Sequence, residues 1–135
     1  MVSLNAWAAA DIVIVVNHSN KVEKVSKKDV QDFYMGHNDK YETKVKAKLC
    51  LNNSAKSDFY EKIEITENGI ASNKAKLLAT GKNDKVITPK PVTTVDEVVE
   101  YISRNADGGL CFMKKEDFDK LKDADKKVVK VILQP

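Results

Sequence analysis

Arginine is almost missing from this 135-residue chain: of its 23 basic residues, only Arg104 is an arginine. A nucleic-acid reader usually clusters arginine for bidentate contacts to phosphate and guanine, so that class is set aside. Glycine (5) and proline (3) are scarce, which excludes a collagen-like repeat or a low-complexity linker. No apolar run approaches the ~20 residues of a transmembrane helix, so membrane insertion is not expected. The two histidines, His18 and His37, have no ligand-type residue three or four positions away. No metal and no other cofactor is therefore expected. There is no GxSxG elbow and no cysteine beside a histidine, so no catalytic residue is named and the chain is not expected to be an enzyme. Asp11 and Asp32 do not fall at the strand ends that a phosphoacceptor receiver domain requires.

With 42% apolar and 32% charged residues and a net charge of +3, the chain is expected to be one soluble domain with one hydrophobic core. Cys50 and Cys111 form no CxxC motif. Each sits in an apolar, strand-like run, Leu49-Cys50-Leu51 and Leu110-Cys111-Phe112, where a reduced buried thiol is the commoner outcome. A single disulfide is the alternative, and it needs Cα atoms within ~7 Å.

The start, Met1 to Ala10, has Ala6 and Ala8 flanking Trp7, the A-x-A spacing that signal peptidase accepts. It lacks the basic start and the apolar stretch of ~7–15 residues that a complete signal carries. Residues 1–10 are read as a signal-peptide remnant or an N-terminal arm, and 11–135 as a single α/β domain. A periplasmic or secreted location, in a bacterial envelope, is the expectation.

Ile12 to Val16 is an unbroken β-branched run, apolar on both faces, as expected of a central strand in a parallel sheet. Ser26, with Asp29 three positions on, opens a helix striped by Val30, Phe33 and Tyr34 that Gly36 can stop. Val45, Ala47, Leu49 and Leu51 alternate with Lys44, Lys46, Lys48 and Cys50, which reads as a strand toward a sheet edge. Helical segments are expected over 57–63 and 70–79, followed by a lysine-rich loop holding Lys82, Lys85, Pro89, Lys90 and Pro91. Thr94 and Glu97 form a capping box ahead of a Val95, Val98, Val99, Ile102 stripe. A strand from Leu110 to Met113, a short helix carrying Phe118 and Leu121, and a strand from Val128 to Leu133 complete the order β-α-β-α-α-α-β-α-β. That order predicts a three-layer α/β sandwich with a mostly parallel sheet, whose crevice lies beyond the carboxyl ends of the strands.

Asp11-Ile12-Val13-Ile14-Val15-Val16-Asn17, followed by Val25 to Gly36, resembles the "vvVN, l-s-k-e-q-v-x-d-I-F-l-G-k" opening of one lobe in phosphate-binding proteins of ABC uptake systems. Leu77 to Lys82 is similar to their "F-[ST]-G-k-g" element. Thr94 to Asn105 is similar to the "s-d-e-e-v-v-x-y-V-x-x-n" helix, and Gly108 to Met113 to the "G-a-I-G-Y-V" strand. Ser54, Lys56, Phe59 and Tyr60 match the "S-x-[RK]-x-x-F-Y" pattern of the one-lobe, phosphate ABC transporter substrate-binding-like group. The arginine and both glycines of the receptors' "R-x-D-G-S-G-T" loop are absent from Leu51 to Tyr60, and Cys111-Phe112 replaces a Gly-Tyr.

The resemblance implies one lobe of the type II periplasmic binding protein fold and a solute-binding role tied to ABC-type uptake or its sensing. Independently, a strand-to-helix loop offering free amides, hydroxyls and a lysine can hold an anion. Asn17, Asn53, Ser54, Lys56 and Ser57 are the expected ligand-binding residues, phosphate or another small anion the expected ligand, and an ABC permease the expected partner. The alternative is an envelope protein that has kept the fold without the ligand and docks a partner or a second copy of itself. A third reading of the same loop is ordinary helix capping by Ser54 or Ser57.

Overall fold

Residues 9–81 and 88–135 are described by the computed structural model. The signal-like start up to Ala8 and most of the lysine loop, Lys82 and Lys85 included, lie outside them. The β-branched run forms β1 (Ile12–Asn17), in which every side chain from Ile12 to Val16 is buried. The next helix is α1 (Lys27–Met35), which starts at the Ser26–Asp29 capping box and stops at Gly36, whose φ of 82° is the left-handed geometry glycine tolerates. Then follow β2 (Lys48–Asn52), a 3-10 turn at Asn53–Ala55, α2 (Lys56–Ile63) and α3 (Glu67–Ala79). Beyond the loop come β3 (Lys90–Val92) and α4 (Val95–Arg104), the latter with the expected Thr94–Glu97 box. The chain finishes with β4 (Gly109–Lys114), α5 (Lys115–Asp119), α6 (Asp123–Lys126) and β5 (Val129–Leu133).

The strands form one sheet in the order β3-β2-β4-β1-β5. Four of them run the same way: β2 is parallel to β3 and β4, and β5 shares their direction because β1 is antiparallel to both β4 and β5. The expected three-layer, mostly parallel α/β sandwich is the observed architecture. One face of the sheet carries Ile12, Ile14, Leu49, Leu110 and Phe112 against Val30 and Phe33 of α1 and Phe59 and Ile63 of α2. The other carries Val13, Val15, Cys50, Cys111 and Met113 against Val98 and Ile102 of α4. Residues of one strand alternate between the two sides, as the period of two demands.

Three expectations are corrected. β1 is central but reversed, since burial on both faces says nothing about strand direction. β2 is not an edge: the short Lys90–Val92 strand pairs outside it, in register Leu51↔Pro91, although Pro91 has no N–H to donate. Its first residues, Lys44 to Lys46, instead belong to a turn closed by the Lys40↔Lys46 bridge. Finally, Cys50 and Cys111 are bonded to each other, with Cα atoms 4.8 Å apart, rather than being separate thiols. The parallel register Lys48↔Gly109, Leu49↔Leu110 explains this, because its next step sets the two cysteines side by side on the α4 face.

Candidate functional site

The carboxyl end of β2 is organised by Asn52, a fully buried polar residue in an apolar setting. Burying an amide is costly unless its hydrogen bonds are met. Here Nδ2 donates to the Phe112 carbonyl at 3.2 Å, while Oδ1 accepts from the Ser54 N–H at 3.2 Å and the Ser54 hydroxyl at 2.7 Å. Asn52 thus ties the turn to β4 and holds Ser54 against the sheet. Five residues after Ser54, Phe59 of α2 stacks on Phe112 with ring centroids 3.7 Å apart, which fixes the helix over the same strand.

The start of α2 has no side-chain cap: its boundary residue is Ala55, and Ser54 spends its hydroxyl on Asn52. Capping of α2 by Ser54 or Ser57 is therefore not observed. The 3-10 turn that runs directly into α2 is capped by Asn52, whose Oδ1 takes the Ser54 N–H; helix-start amides beyond such a cap can donate to water or an anion. Asn53, Ser54 and Ser57 are exposed around this start and Lys56 is part-exposed, so four of the five expected residues are neighbours. Asp58, in the first turn, already offsets part of the helix dipole.

Lys56 is engaged. Its ammonium lies 2.7 Å from the Glu67 carboxylate at the start of α3. That hydrogen bond, with the attraction behind it, raises the Lys56 pKa above 10.5. Tyr60, half-buried beside them, is also raised, by burial first and by Glu67 second, with Lys56 acting the other way. The sequence marks Asn52 as the first residue of the loop after the strand but not as its anchor, and it does not mark Glu67 at all. A strand-terminal asparagine was a readable signal for the first, but nothing announced that α3 would return Glu67 to Lys56.

Asn17, the fifth expected residue, is elsewhere. The antiparallel register Val16↔Leu110 puts the end of β1 beside the beginning of β4, whereas Asn52 contacts Phe112 further along β4, so Asn17 and Ser54 occupy opposite ends of the sheet. Its amide is also spent: Nδ2 donates to the Ile102 carbonyl at 3.2 Å, and Oδ1 accepts from the Ser19 N–H and hydroxyl at 2.9 Å each. Asn17 anchors the turn after β1 to the end of α4. The start of β1 instead meets α2 at its last turn, where Asp11 lies 3.7 Å from Lys62.

Among the described residues no helix is long and apolar enough to cross a membrane. No family model and no curated protein matches the sequence. Among solved structures, the chain is similar to an ABC-type phosphate transport receptor from Vibrio cholerae, with a TM-score of 0.63 and 16% identity over 93% of this chain and 47% of the receptor. The chain spans about half the length of that receptor. At this identity the likeness is one of fold.

Proposed function

We propose that this chain is a solute-binding-like protein that works outside the cytoplasm and captures a small oxyanion, phosphate being the first candidate, without covalent change. The observation that carries the reading is the uncapped start of α2 at the carboxyl end of β2, with Asn53, Ser54, Lys56 and Ser57 around it. Two further facts support it. The fold is shared with a phosphate transport receptor, which favours an ABC permease or its sensor as the partner. The fully buried Cys50–Cys111 bond belongs with an oxidising compartment such as the periplasm. Asn17 is withdrawn from the ligand set on the geometry above.

A thermal-shift titration with phosphate and sulfate tests this. At ten times Kd a ligand adds about 1.4 kcal/mol, which for a chain of this size raises Tm by about 5 °C. Lys56→Gln should weaken the shift. Unchanged melting with both anions at tens of millimolar would rule the reading out.

A second reading, self-association or docking on an envelope protein, rests on α3. Its side chains are never fully buried, and Leu78 is 50% exposed. Ala71, Ala75 and Leu78, at i, i+4 and i+7, lie along one exposed stripe. Sedimentation that shows a concentration-dependent dimer, lost in Leu78→Glu, would favour it; a monomer at all concentrations would exclude self-association.

A further inference from the structure

The sheet has two edges, formed by β3 and β5. An edge strand offers unpaired N–H and C=O groups to any strand that comes alongside. β3 is three residues long with Pro91 at its centre, which leaves little to pair with. β5 has five residues, Val129–Leu133, and no proline. Its outward side follows from its register. The His18 N–H donates to the Val128 carbonyl at 2.9 Å, and bonded residues alternate along an antiparallel pair. Val128 and Lys130 therefore turn their backbone groups to β1, while Val129 and Val131 turn theirs away. The Val131 side chain is 37% exposed, one of two large apolar side chains open to solvent among the described residues.

The chain between β1 and α1 lies along this edge and meets β5 twice. At Lys130, the ammonium donates to the Asn20 carbonyl at 2.7 Å and lies 3.2 Å from the Glu23 carboxylate. At Ile132, which the register shift leaves without a partner on β1, the carbonyl accepts from the Val25 N–H at 3.3 Å. Asn20 Oδ1 takes the Val22 N–H at 2.9 Å, a turn that seats Val22 in the same core cluster as Ile132. Lys21, Glu23 and Lys24 stay exposed. With a single backbone hydrogen bond to β5 among the described residues, the segment covers the edge without joining the sheet. Lys130 is the fastening: its side chain is only 14% exposed, where a lysine ordinarily keeps its charge in water.

We propose that Asn20 to Val25 is an edge guard, fastened by Lys130, that keeps β5 from pairing with β5 of a second copy. A second copy is the strand to be kept out, because every copy carries the same edge. In an antiparallel two-fold pair Val129 of one copy meets Val131 of the other, and the outward groups of both are satisfied at once. Lys130 opposes this in two ways: a lysine on an edge discourages pairing in itself, and its ammonium holds the cover in place. The guard uses no residue of the α2 start or of the α3 stripe, so it stands apart from both readings above.

The test uses the whole chain in a Leu78→Glu background, which removes the α3 stripe from any association. Lys130→Met keeps the length of the side chain and removes the ammonium. It should raise hydrogen exchange at the Val22 and Val25 amides about tenfold and make sedimentation concentration-dependent, while the Leu78→Glu parent stays monomeric over the same range. Glu23→Ala, at an exposed position outside the sheet, should raise the same exchange about twofold and shift sedimentation the same way, so the test stands even where Lys130→Met does not fold. Adding Val131→Lys to Lys130→Met puts a charge on the freed edge and should weaken the association about tenfold or more. Unchanged exchange in both variants, a loosened segment without association, association equally strong with Val131→Lys, or a parent that already associates through Val131 would each overturn the proposal.

Discussion

Replacing both cysteines by alanine should destabilise the chain by about 4–5 kcal/mol. The bond joins Cys50 and Cys111 across 61 residues of sequence. Closing a loop of that length removes chain entropy from the unfolded state worth about 4 kcal/mol, and lost packing of two buried sulfurs adds roughly 1 kcal/mol. For a domain of this size each kcal/mol moves Tm by about 3–4 °C, so the double variant should melt about 15 °C below the native chain. Alanine is the right replacement, because both positions are fully buried and a serine hydroxyl there would add its own penalty. The assay is melting followed by circular dichroism, on protein refolded in a glutathione redox buffer. A phosphine reductant present during the scan should lower the native Tm toward that of the double variant and leave the variant unmoved. Reactive thiols in the unfolded, unreduced chain, or equal melting with and without reductant, would refute the bond and with it the support it lends to an extracytoplasmic location.

Glu67→Gln should release Lys56 and tighten phosphate about two- to fivefold in calorimetry, since the anion no longer competes with a carboxylate for the ammonium; unchanged or weaker binding would remove Lys56 from the site. Gly108→Ala should cost about 2 kcal/mol or more in a denaturant titration, because a Cβ there runs into the Lys46 carbonyl and the backbone on both sides is paired. Burial raises the hydroxyl pKa of Tyr34 well above its ordinary 10.0, and those of Tyr41, Tyr60 and Tyr101 also rise. Above pH 10 the unfolded chain therefore releases phenolic protons that the folded chain keeps, so stability present below pH 10 declines as pH rises. Tyr34→Phe should lose about 1 kcal/mol at neutral pH with its 2.7 Å hydrogen bond to the Cys50 carbonyl, and show a shallower alkaline decline in Tm.

Most elements were legible because local chemistry decides them. The Ser26–Asp29 and Thr94–Glu97 boxes start α1 and α4 where the residue types say they should, and Gly36 ends α1. The errors fall where a partner distant in sequence decides. Pro91 hides β3, which exists because β2 offers its edge there. One error is local: the helix expected from residue 70 begins at Glu67, because Thr66 accepts from the Gly69 N–H and caps it. Cys50 and Cys111 each read as a small hydrophobe in its own strand, and only the β2–β4 register makes them a pair.

The direction of β1 is the error with functional weight. A β-branched run buried on both sides looks the same read forwards or backwards, so placing Asn17 with Asn53 to Ser57 rested on an assumed parallel pairing. Reversal of one strand does more than discard a residue. It gives the sheet two differently furnished ends: at one, β2 delivers a helix start beside a lysine already held by Glu67; at the other, the Tyr41 hydroxyl ties the segment leading to β2 to the Gly108 carbonyl ahead of β4. A bare oxyanion needs oriented donors and little apolar contact, which suits the first end.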